Sequence, residues 1–259
     1  MLIRKSSFFL ALMLFLFSIS NSYSQTFGFG CLGLFGGYGG AVYQSYNAQG
    51  FNNYIKSFNA DIGVDGERPL NTYDHSLGYR VGVNFFRANW QSGFMITAKG
   101  YFQGLSKTNE ATKIFNNEIQ NFSYDLDMKN WALGIDFGFA ITKFLSWKIV
   151  DGTINFNNVS LTETVNMPGE TIITEYKSES GIIGYSVSSG FIINIIANYI
   201  SLEGSAGYTY LQIDDLKADN GNFFLKRNTA TLEVNPETGN FIESGGFLAV
   251  VQLNIGFPL

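Results

Sequence analysis

The sequence predicts an all-β fold: an eight-stranded antiparallel up-and-down transmembrane β-barrel, preceded by a cleavable signal peptide. Three observations predict it. The chain opens with an export signal, eight later stretches alternate large apolar residues with small or polar ones, and the connections between these stretches are long and short in turn. Alternation with a period of two is typical of strands that present one face to lipid. The order of connections indicates a chain that runs up and down through a membrane.

The first 24 residues have the layout of a secretory signal peptide. Basic residues precede an apolar stretch over residues 8–17, and small serines follow it. This stretch is shorter than the roughly 20 residues that a membrane-spanning helix requires. We therefore expect cleavage before Gln25, so that residues 1–24 are removed and residues 25–259 form one β-barrel domain.

The composition argues against several classes of protein. The chain has 16 basic and 21 acidic residues, and removal of the signal with Arg4 and Lys5 leaves 14 basic ones. The net charge of the mature chain is then −7. Nucleic acid is therefore not expected as a partner, because it requires a basic surface. A single cysteine, Cys31, rules out an intramolecular disulfide. The chain has 25 Phe, 14 Tyr and 29 Gly but only 14% charged residues, a composition that suits lipid-facing strands.

The clearest hairpin covers residues 77–102. A turn at Asn89 and Trp90 pairs each apolar residue of one strand with an apolar residue of the other, as the pleat requires. On the opposite face, this register predicts that Arg80 lies directly across from Lys99.

A second hairpin covers residues 185–210 and shows the same pattern of apolar residues paired across an Asn-aromatic turn. Its turn is predicted at Asn198 and Tyr199, and its polar face then sets Asn194 opposite Glu203. Asn tolerates the left-handed backbone of tight turns, and the aromatic residue beside it suits the membrane–water boundary.

The remaining strands follow the same alternation. Residues 131–141 and 247–257 alternate without interruption. Residues 145–156 change phase at residues 151–152, and a β-bulge is the simplest account of that change. Residues 27–43 are the weakest strand, because glycines occupy both faces.

The phase of the connections predicts the orientation of the barrel. Outer-membrane barrels have short periplasmic turns and long external loops. We therefore expect Asn89, Trp90, Asn198 and Tyr199 to lie in periplasmic turns, with both termini on the same side. The tight connections are residues 89–90, 142–144 and 197–199, and the long polar ones lie near residues 44–72, 107–119, 167–179 and 214–243.

A secreted soluble β-sandwich or lipocalin-like barrel also alternates, so the two classes must be distinguished by the polar face. On a soluble barrel, the outward row is charged. Here the second row is mainly Gly, Ala, Ser, Asn and Thr, which suits a narrow lumen. Several strands also exceed ten residues, enough to cross a bilayer when tilted. Both observations favour the membrane barrel.

The pattern resembles the small outer-membrane β-barrel superfamily that includes OmpA-, OmpX- and OmpW-like barrels, in particular the outer-membrane β-barrel proteins of Bacteroidota. The resemblance covers Gln25 to Leu259 and rests on strand count and loop phase. It implies a bacterial outer-membrane location, contact with outer-membrane lipid including lipopolysaccharide, and insertion by the barrel assembly machinery. Such chains typically end in an aromatic residue. Here Phe257 is followed by Pro258 and Leu259, so that assembly signal is matched only in part.

Four charges on the lumen-facing rows form the candidate site: Arg80, Lys99, Asp136 and Glu203. Side chains fill the interior of an eight-stranded barrel, and buried ions require partners there. Asp136 is the expected partner of Lys99. Two interpretations remain open: the four charges form an ion-pair plug, or they line a narrow polar pore that opens when the pairs exchange.

The only histidine suggests an enzyme, because some small barrels of this superfamily modify lipid A with His, Ser and an acid. Asp74, His75 and Ser76 lie together near the outer end of a strand. Neighbours in a strand point to opposite faces, however, so Asp74 and Ser76 share a face that His75 does not. We therefore expect no catalytic residue, and we expect no cofactor and no metal.

Three functions remain possible. The first, which we favour, is a structural or interaction role, with a closed or narrow lumen and exposed extracellular loops whose ligand the sequence does not identify. The second is a small porin-like channel for small or apolar solutes. The third is a lipid A-modifying enzyme at the outer leaflet.

Overall fold

A computed structural model of the chain describes residues 26–29, 35–60, 67–90, 92–115, 117–196, 199–225 and 239–257. The predicted signal peptide, Cys31, Asn198, Pro258 and Leu259 lie outside these residues. No helix in the described ranges is long and apolar enough to cross a membrane. The elements are, in chain order, β1 (Thr26–Phe29), β2 (Phe35–Asn47), α1 (Gln49–Ala60), β3 (His75–Asn89), β4 (Phe94–Phe115), β5 (Glu118–Ala140), β6 (Leu145–Met167), β7 (Glu170–Lys177), β8 (Ile182–Ile196), β9 (Ile200–Tyr210), β10 (Lys217–Ala218) and β11 (Ser244–Phe257).

Eight strands close into a barrel. Their order around the ring is β2, β3, β4, β5, β6, β8, β9 and β11, and β11 returns to pair with β2. Every pairing in the ring is antiparallel. The short β1 also pairs with β3, while β7 and β10 continue the sheet outward from β6. The predicted eight-stranded up-and-down barrel is confirmed, and its closure leaves the ring without an unpaired edge.

Large apolar side chains cover the outside of the barrel in an apolar belt. On β5, Trp131, Leu133, Ile135 and Phe137 are exposed, whereas the intervening Asp136 is buried. The ten residue steps from Trp131 to Ile141, at a tilt of about 40°, span about 25 Å, which is the height of the apolar band of transmembrane barrels. On the other strands the belt includes Leu77, Tyr79, Val81, Phe94, Ile154, Phe156, Tyr185, Val187, Phe191, Ile193, Leu202, Tyr208, Phe247, Val251 and Leu253.

Strands, rather than loops, form much of the long-connection end. The predicted polar connection at residues 107–119 is wrong: β4 runs to Phe115, and β5 begins at Glu118 after a tight turn with Asn117 at φ 65°. Residues 170–177 likewise form β7, which pairs with the end of β6. Outside the membrane a strand needs no apolar row, so its alternation is not visible in the sequence.

The predicted register of the first hairpin is wrong, although the predicted faces are right. Arg80 lies opposite Gln103 instead of Lys99, and Lys99 lies opposite Asn84. The strand β3 continues to Asn89, which is therefore a strand residue, and the chain turns between Trp90 and Gly93. The shift at Arg80 is four residues. Because it is even, each side chain keeps its side of the sheet.

The second hairpin shows a smaller shift of the same kind. Asn194 lies opposite Ser201 rather than Glu203, and Glu203 lies opposite Ile192. Tyr199 lies in the turn, as predicted. The two hairpins and the turn at residues 141–144 define the short-turn end of the barrel.

The main apolar core lies at the opposite, long-loop end. There α1 presents Phe51, Tyr54, Ile55 and Phe58 at helical spacing, so one face of the helix packs into the mouth of the barrel. Phe51 stacks on Phe241 at 4.9 Å between ring centroids. The resulting apolar cap comprises Phe51, Ile55, Leu70, Tyr73, Tyr124, Leu126, Leu161, Tyr176, Leu211, Ile213, Leu216, Phe224, Phe241 and Ile242.

A charge in the middle of the apolar belt should destabilise the barrel. Ile135→Lys places an ammonium near the bilayer midplane, and we expect it to lower the free energy of unfolding by about 2–4 kcal/mol. Thr108→Lys is the control, because Thr108 is exposed on the outward face of β4 but lies beyond the belt, opposite Asp125. Urea titration of the barrel folded into lipid vesicles measures both. Equal losses in the two variants would contradict a membrane-spanning belt.

Two glycines should respond differently to the same substitution. A Cβ on Gly82 would meet the ring of Tyr38 and lie 2.6 Å from the carbonyl oxygen of Gly100, so Gly82→Ala should cost about 1–3 kcal/mol. A Cβ on Gly152 would meet nothing within 4 Å, so Gly152→Ala should be neutral. The heat-dependent gel shift of the folded barrel, followed through a urea titration, compares them. A neutral Gly82→Ala would show that Tyr38 moves away freely.

Candidate functional site

An irregularity in β6 brings two charged residues into the lumen. The pairing of β6 with β8 shifts between Lys148 and Asp151. Ile149 and Val150 are both exposed, at 40% and 39%, although neighbours in a regular strand point to opposite faces. Lys148 and Asp151 therefore both point inward. The predicted break at residues 151–152 exists, but it lies slightly earlier in the chain.

Five charged side chains meet in the lumen and form the lumen charge layer: Lys99, Asp136, Lys148, Asp151 and Glu203. The Nζ atom of Lys148 lies 2.9 Å from Oδ2 of Asp151 and also contacts Oε1 of Glu203. The Nζ atom of Lys99 contacts the same oxygen of Asp151 and lies 3.6 Å from Oδ2 of Asp136. The layer thus ties β4, β5, β6 and β9 together across the lumen.

Arg80 lies apart from this layer. Its Nε and Nη2 atoms donate to Oε1 of Gln103 at 3.1 and 2.7 Å, and its guanidinium lies 3.9 Å from the centroid of the Tyr101 ring. Gln103 in turn donates to Gln44 at 3.1 Å. Among the described residues, Arg80 and the lumen charge layer together hold three cations and three carboxylates, so their charges balance, and Glu163 is a further buried carboxylate nearer the long-loop end.

The structure therefore brings three of the four sequence-predicted charges into one cluster: Lys99, Asp136 and Glu203. Arg80 has separate partners. Sequence reasoning missed Lys148 and Asp151, although the change of phase in β6 was a usable signal. Two residues on either side of a bulge point inward together, and both of these are charged.

A neutral polar layer fills the lumen between the charges and the apolar cap. Tyr101 donates to Oδ1 of Asn155 at 3.1 Å, Asn155 donates to Ser186 at 2.7 Å, and Ser186 shares a 3.0 Å hydrogen bond with Thr209. These side chains come from four different strands. Connected hydrogen bonds in a medium of low dielectric constant hold a core in one arrangement.

Above this layer, the apolar cap contains its own buried polar contacts. The phenol of Tyr124 donates to Oε1 of Glu163 at 2.8 Å, and the phenol of Tyr73 donates to the backbone carbonyl of Tyr124 at 2.5 Å. Burial raises the pKa of Tyr124 above its ordinary value, so this phenol remains a hydrogen-bond donor. The cap is therefore packed and hydrogen-bonded rather than an open mouth.

A cavity of about 270 Å³ lies at the short-turn end, and we call it the vestibule. Exposed Thr142 and Lys143 lie at its rim, and buried Met95, Ser146 and Ile192 lie at its inner end. Lys148 of the charge layer follows Ser146 on the lumen-facing side of β6. The vestibule thus ends below the charge layer.

The residues Asp74, His75 and Ser76 do not form a catalytic arrangement. The Nδ1 atom of His75 lies 2.7 Å from Oδ1 of Asp74, and its ring stacks on Tyr43. Ser76 points inward, is 1% exposed and shares a 2.8 Å hydrogen bond with Tyr46. Burial would raise the pKa of Asp74, but the hydrogen bond from Lys107 and its positive charge outweigh that effect and lower it.

Among the described residues, no group of three or more His, Cys, Asp or Glu side chains is placed to hold a metal ion. The acidic segment around residues 61–65 lies outside the described residues. The acids of the charge layer are instead occupied by the ammonium groups of Lys99 and Lys148.

The solved structures that are similar to this chain include the following two, both at low sequence identity. One is the crystal structure of Ail, the attachment invasion locus protein of Yersinia pestis, with 11% identity, a TM-score of 0.35 and coverage of 87% of this chain and 97% of Ail. The other is Neisserial surface protein A (NspA), with 8% identity, a TM-score of 0.32 and coverage of 91% and 100%. No protein-family model matches the sequence. No curated protein matches it either. The barrel architecture described above therefore rests on the strand pairing of this chain itself.

Removing Lys148 should destabilise the barrel more than removing the ion pair. Lys148→Met leaves Glu203 and Asp151 buried with less compensation, and we expect a loss of about 3–5 kcal/mol. The double variant Lys148→Met with Glu203→Gln removes one uncompensated charge as well and should recover much of that loss. Urea titration in vesicles measures both. A double variant no more stable than the single one would contradict a structural ion pair.

Proposed function

We propose that this protein is a bacterial outer-membrane barrel with a structural or interaction role. In this proposal the lumen does not conduct, and the long-loop end is a folded surface presented outside the cell. The single observation that supports a closed lumen is that three packed layers lie one above another inside the barrel. They are the lumen charge layer, the neutral polar layer and the apolar cap.

The obstruction of the lumen supports the closed form over a pore. Lys148 is 1% exposed and contacts carboxylates on β6 and β9, and Lys99 extends the same network to β4 and β5, so the layer crosses the interior. Beyond it, the apolar cap joins the inner wall through Val42, Leu105, Met128 and Val250, which are all buried. A path for water or ions would have to separate both sets of contacts.

The apolar belt and the closed fold support the proposed location. Closed antiparallel barrels with an apolar outer belt are the form in which strands cross a bilayer, and those of this size occur in bacterial outer membranes. The proposed orientation places the short-turn end in the periplasm. Outer-membrane lipid, including lipopolysaccharide, is then the immediate partner of the belt, and the barrel assembly machinery is the partner during insertion.

The surface available for interaction is an extended sheet beyond the belt. It is formed by the far ends of β4, β5 and β6 together with β7 and β10. Its convex face exposes Ile119 and Ile173 among polar residues, at 58% and 66%. Large apolar residues outside the membrane are typical of sites that bind another macromolecule.

Electrical recording tests the closed lumen. Purified barrel inserted into a planar bilayer should show no steady conductance, because the charge layer and the cap both block the lumen. A general porin in the same bilayer serves as the positive control, and the heat-dependent gel shift shows that the inserted protein is folded. Steady single-channel steps from the wild-type protein would overturn the proposal and favour the small-channel alternative. In that case, Asp136→Ala should change the gating.

For the lipid A-modifying alternative, His75 contacts Asp74, but no hydroxyl among the described residues is hydrogen-bonded to its imidazole. The hydroxyl of Ser76 is buried and bonded to Tyr46, and His75 points to the other face. Unchanged mass of lipid A after overexpression would agree with this arrangement. An altered mass would require a different set of catalytic residues.

A further inference from the structure

The vestibule has two positive and four amide side chains among apolar ones such as Met95 and Ile192. Arg87 and Lys143 contribute the charges, and Asn84, Asn89, Asn194 and Asn254 contribute amides. No Asp or Glu is among the described residues that line it. A cavity with two cations and no carboxylate is complementary to an anion.

Most hydrogen-bonding capacity of these two cations is unused. In the described part of the chain, Arg87 makes one side-chain hydrogen bond, from Nε to Oγ1 of Thr97 at 3.3 Å, which leaves both terminal nitrogens available. The ammonium of Lys143 has no ion pair with any described residue. A guanidinium that presents two nitrogens matches the geometry of a phosphate or carboxylate.

The acids deeper in the lumen neutralise this charge only in part. Asp136, Asp151 and Glu203 face Lys99 and Lys148 within the lumen charge layer, and Asp136 also interacts electrostatically with Arg87. Together with Arg80, these described groups are four cations against three acids, and Lys143 adds a fifth cation at the rim. The open end of the lumen therefore keeps a net positive charge.

The shape of the vestibule favours binding over passage. It opens at the short-turn end and stops below the charge layer, so a solute that enters must leave by the same route. Its volume of about 270 Å³ is slightly below the usual range for pockets that hold drug-sized ligands. The occupant is accordingly small.

We propose that the vestibule is a binding site for a small anion that carries a phosphate group, held by Arg87 and Lys143 and oriented by the surrounding asparagine amides. The phosphate can belong to a soluble metabolite or to the headgroup of a phospholipid in the adjacent leaflet. Both sources present the same chemistry to the two cations.

Titration with inorganic phosphate tests the site. The folded barrel in maltoside micelles, which contain no phosphate, is followed by amide NMR and calorimetry. Phosphate should shift the amide signals of Asn89, Lys143 and Asn194. Arg87→Gln and Lys143→Gln should each weaken binding by about tenfold. Lys129→Gln is the matched control, because it removes a charge from the outer face, far from the vestibule, and should leave binding unchanged.

A second arm distinguishes the two sources. Phosphatidylglycerol added to the micelles should compete with inorganic phosphate if headgroups enter the vestibule, and should leave phosphate binding unchanged if only soluble anions do. Lys143 lies in an exposed turn, so Lys143→Gln remains informative if Arg87→Gln fails to fold. No phosphate-dependent shift at the vestibule, or an equal loss of binding in Lys129→Gln, would overturn the proposal.

Discussion

The rest of the interior depends on the contact of Lys148 with two carboxylates. Its ammonium, on β6, reaches Asp151 on the same strand and Glu203 on β9, so one side chain joins two walls of the barrel. An ammonium buried without partners would cost several kcal/mol. The shared carboxylates offset that cost. They also account for the position of Lys99, which contacts Asp151 and Asp136 in the same network. The neutral polar layer and the apolar cap then pack on the lumen charge layer, which these contacts hold in place.

This contact has its origin in one irregular position of a strand. A regular β6 would point Lys148 and Asp151 to opposite faces, and one of them would lie in lipid. The extra residue at Ile149–Val150 places two apolar side chains outside and both charges inside. The local defect in pairing is thus what allows the strand to satisfy the membrane and the lumen together.

The sequence is sufficient for the faces of the strands but not for their register. Alternation separates Leu77 from Arg80 correctly, because a side chain on the wrong face would expose a charge to lipid. It does not distinguish registers that differ by an even number of residues, since every such register preserves the faces. The actual pairing at Arg80 depends on where the turn at residues 90–93 closes, and that depends on tertiary contacts. The same limit explains the candidate site. Lys99, Asp136 and Glu203 could be assigned to the lumen from parity, whereas their exact partners could not.

The cap and the extended sheet were least accessible to sequence reasoning. Both lie outside the membrane, where the lipid no longer requires one apolar face. The sequence pattern does not predict the helix α1, which lies within the polar connection at residues 44–72. Its apolar residues are few, and the residues it contacts in the cap are distant in sequence. Phe51, for example, packs on Tyr73 and Phe241. Such contacts become visible only when the barrel has closed.

The extended sheet also limits where the chain can change in length beyond the apolar belt. In a flexible loop, one residue more or less alters only the local shape. Along β4 and β5, which are paired continuously from Phe94 with Phe139 to Phe115 with Glu118, a single insertion would exchange the buried and exposed faces beyond it unless a β-bulge absorbed the extra residue, as at Ile149–Val150. Insertions should therefore be tolerated best at tips such as Pro168–Gly169, where Gly169 has open space around it. A foreign epitope inserted there would be displayed at the end of the extended sheet. The same insertion at Asn109, within β4, would disrupt the strand pairing of that sheet.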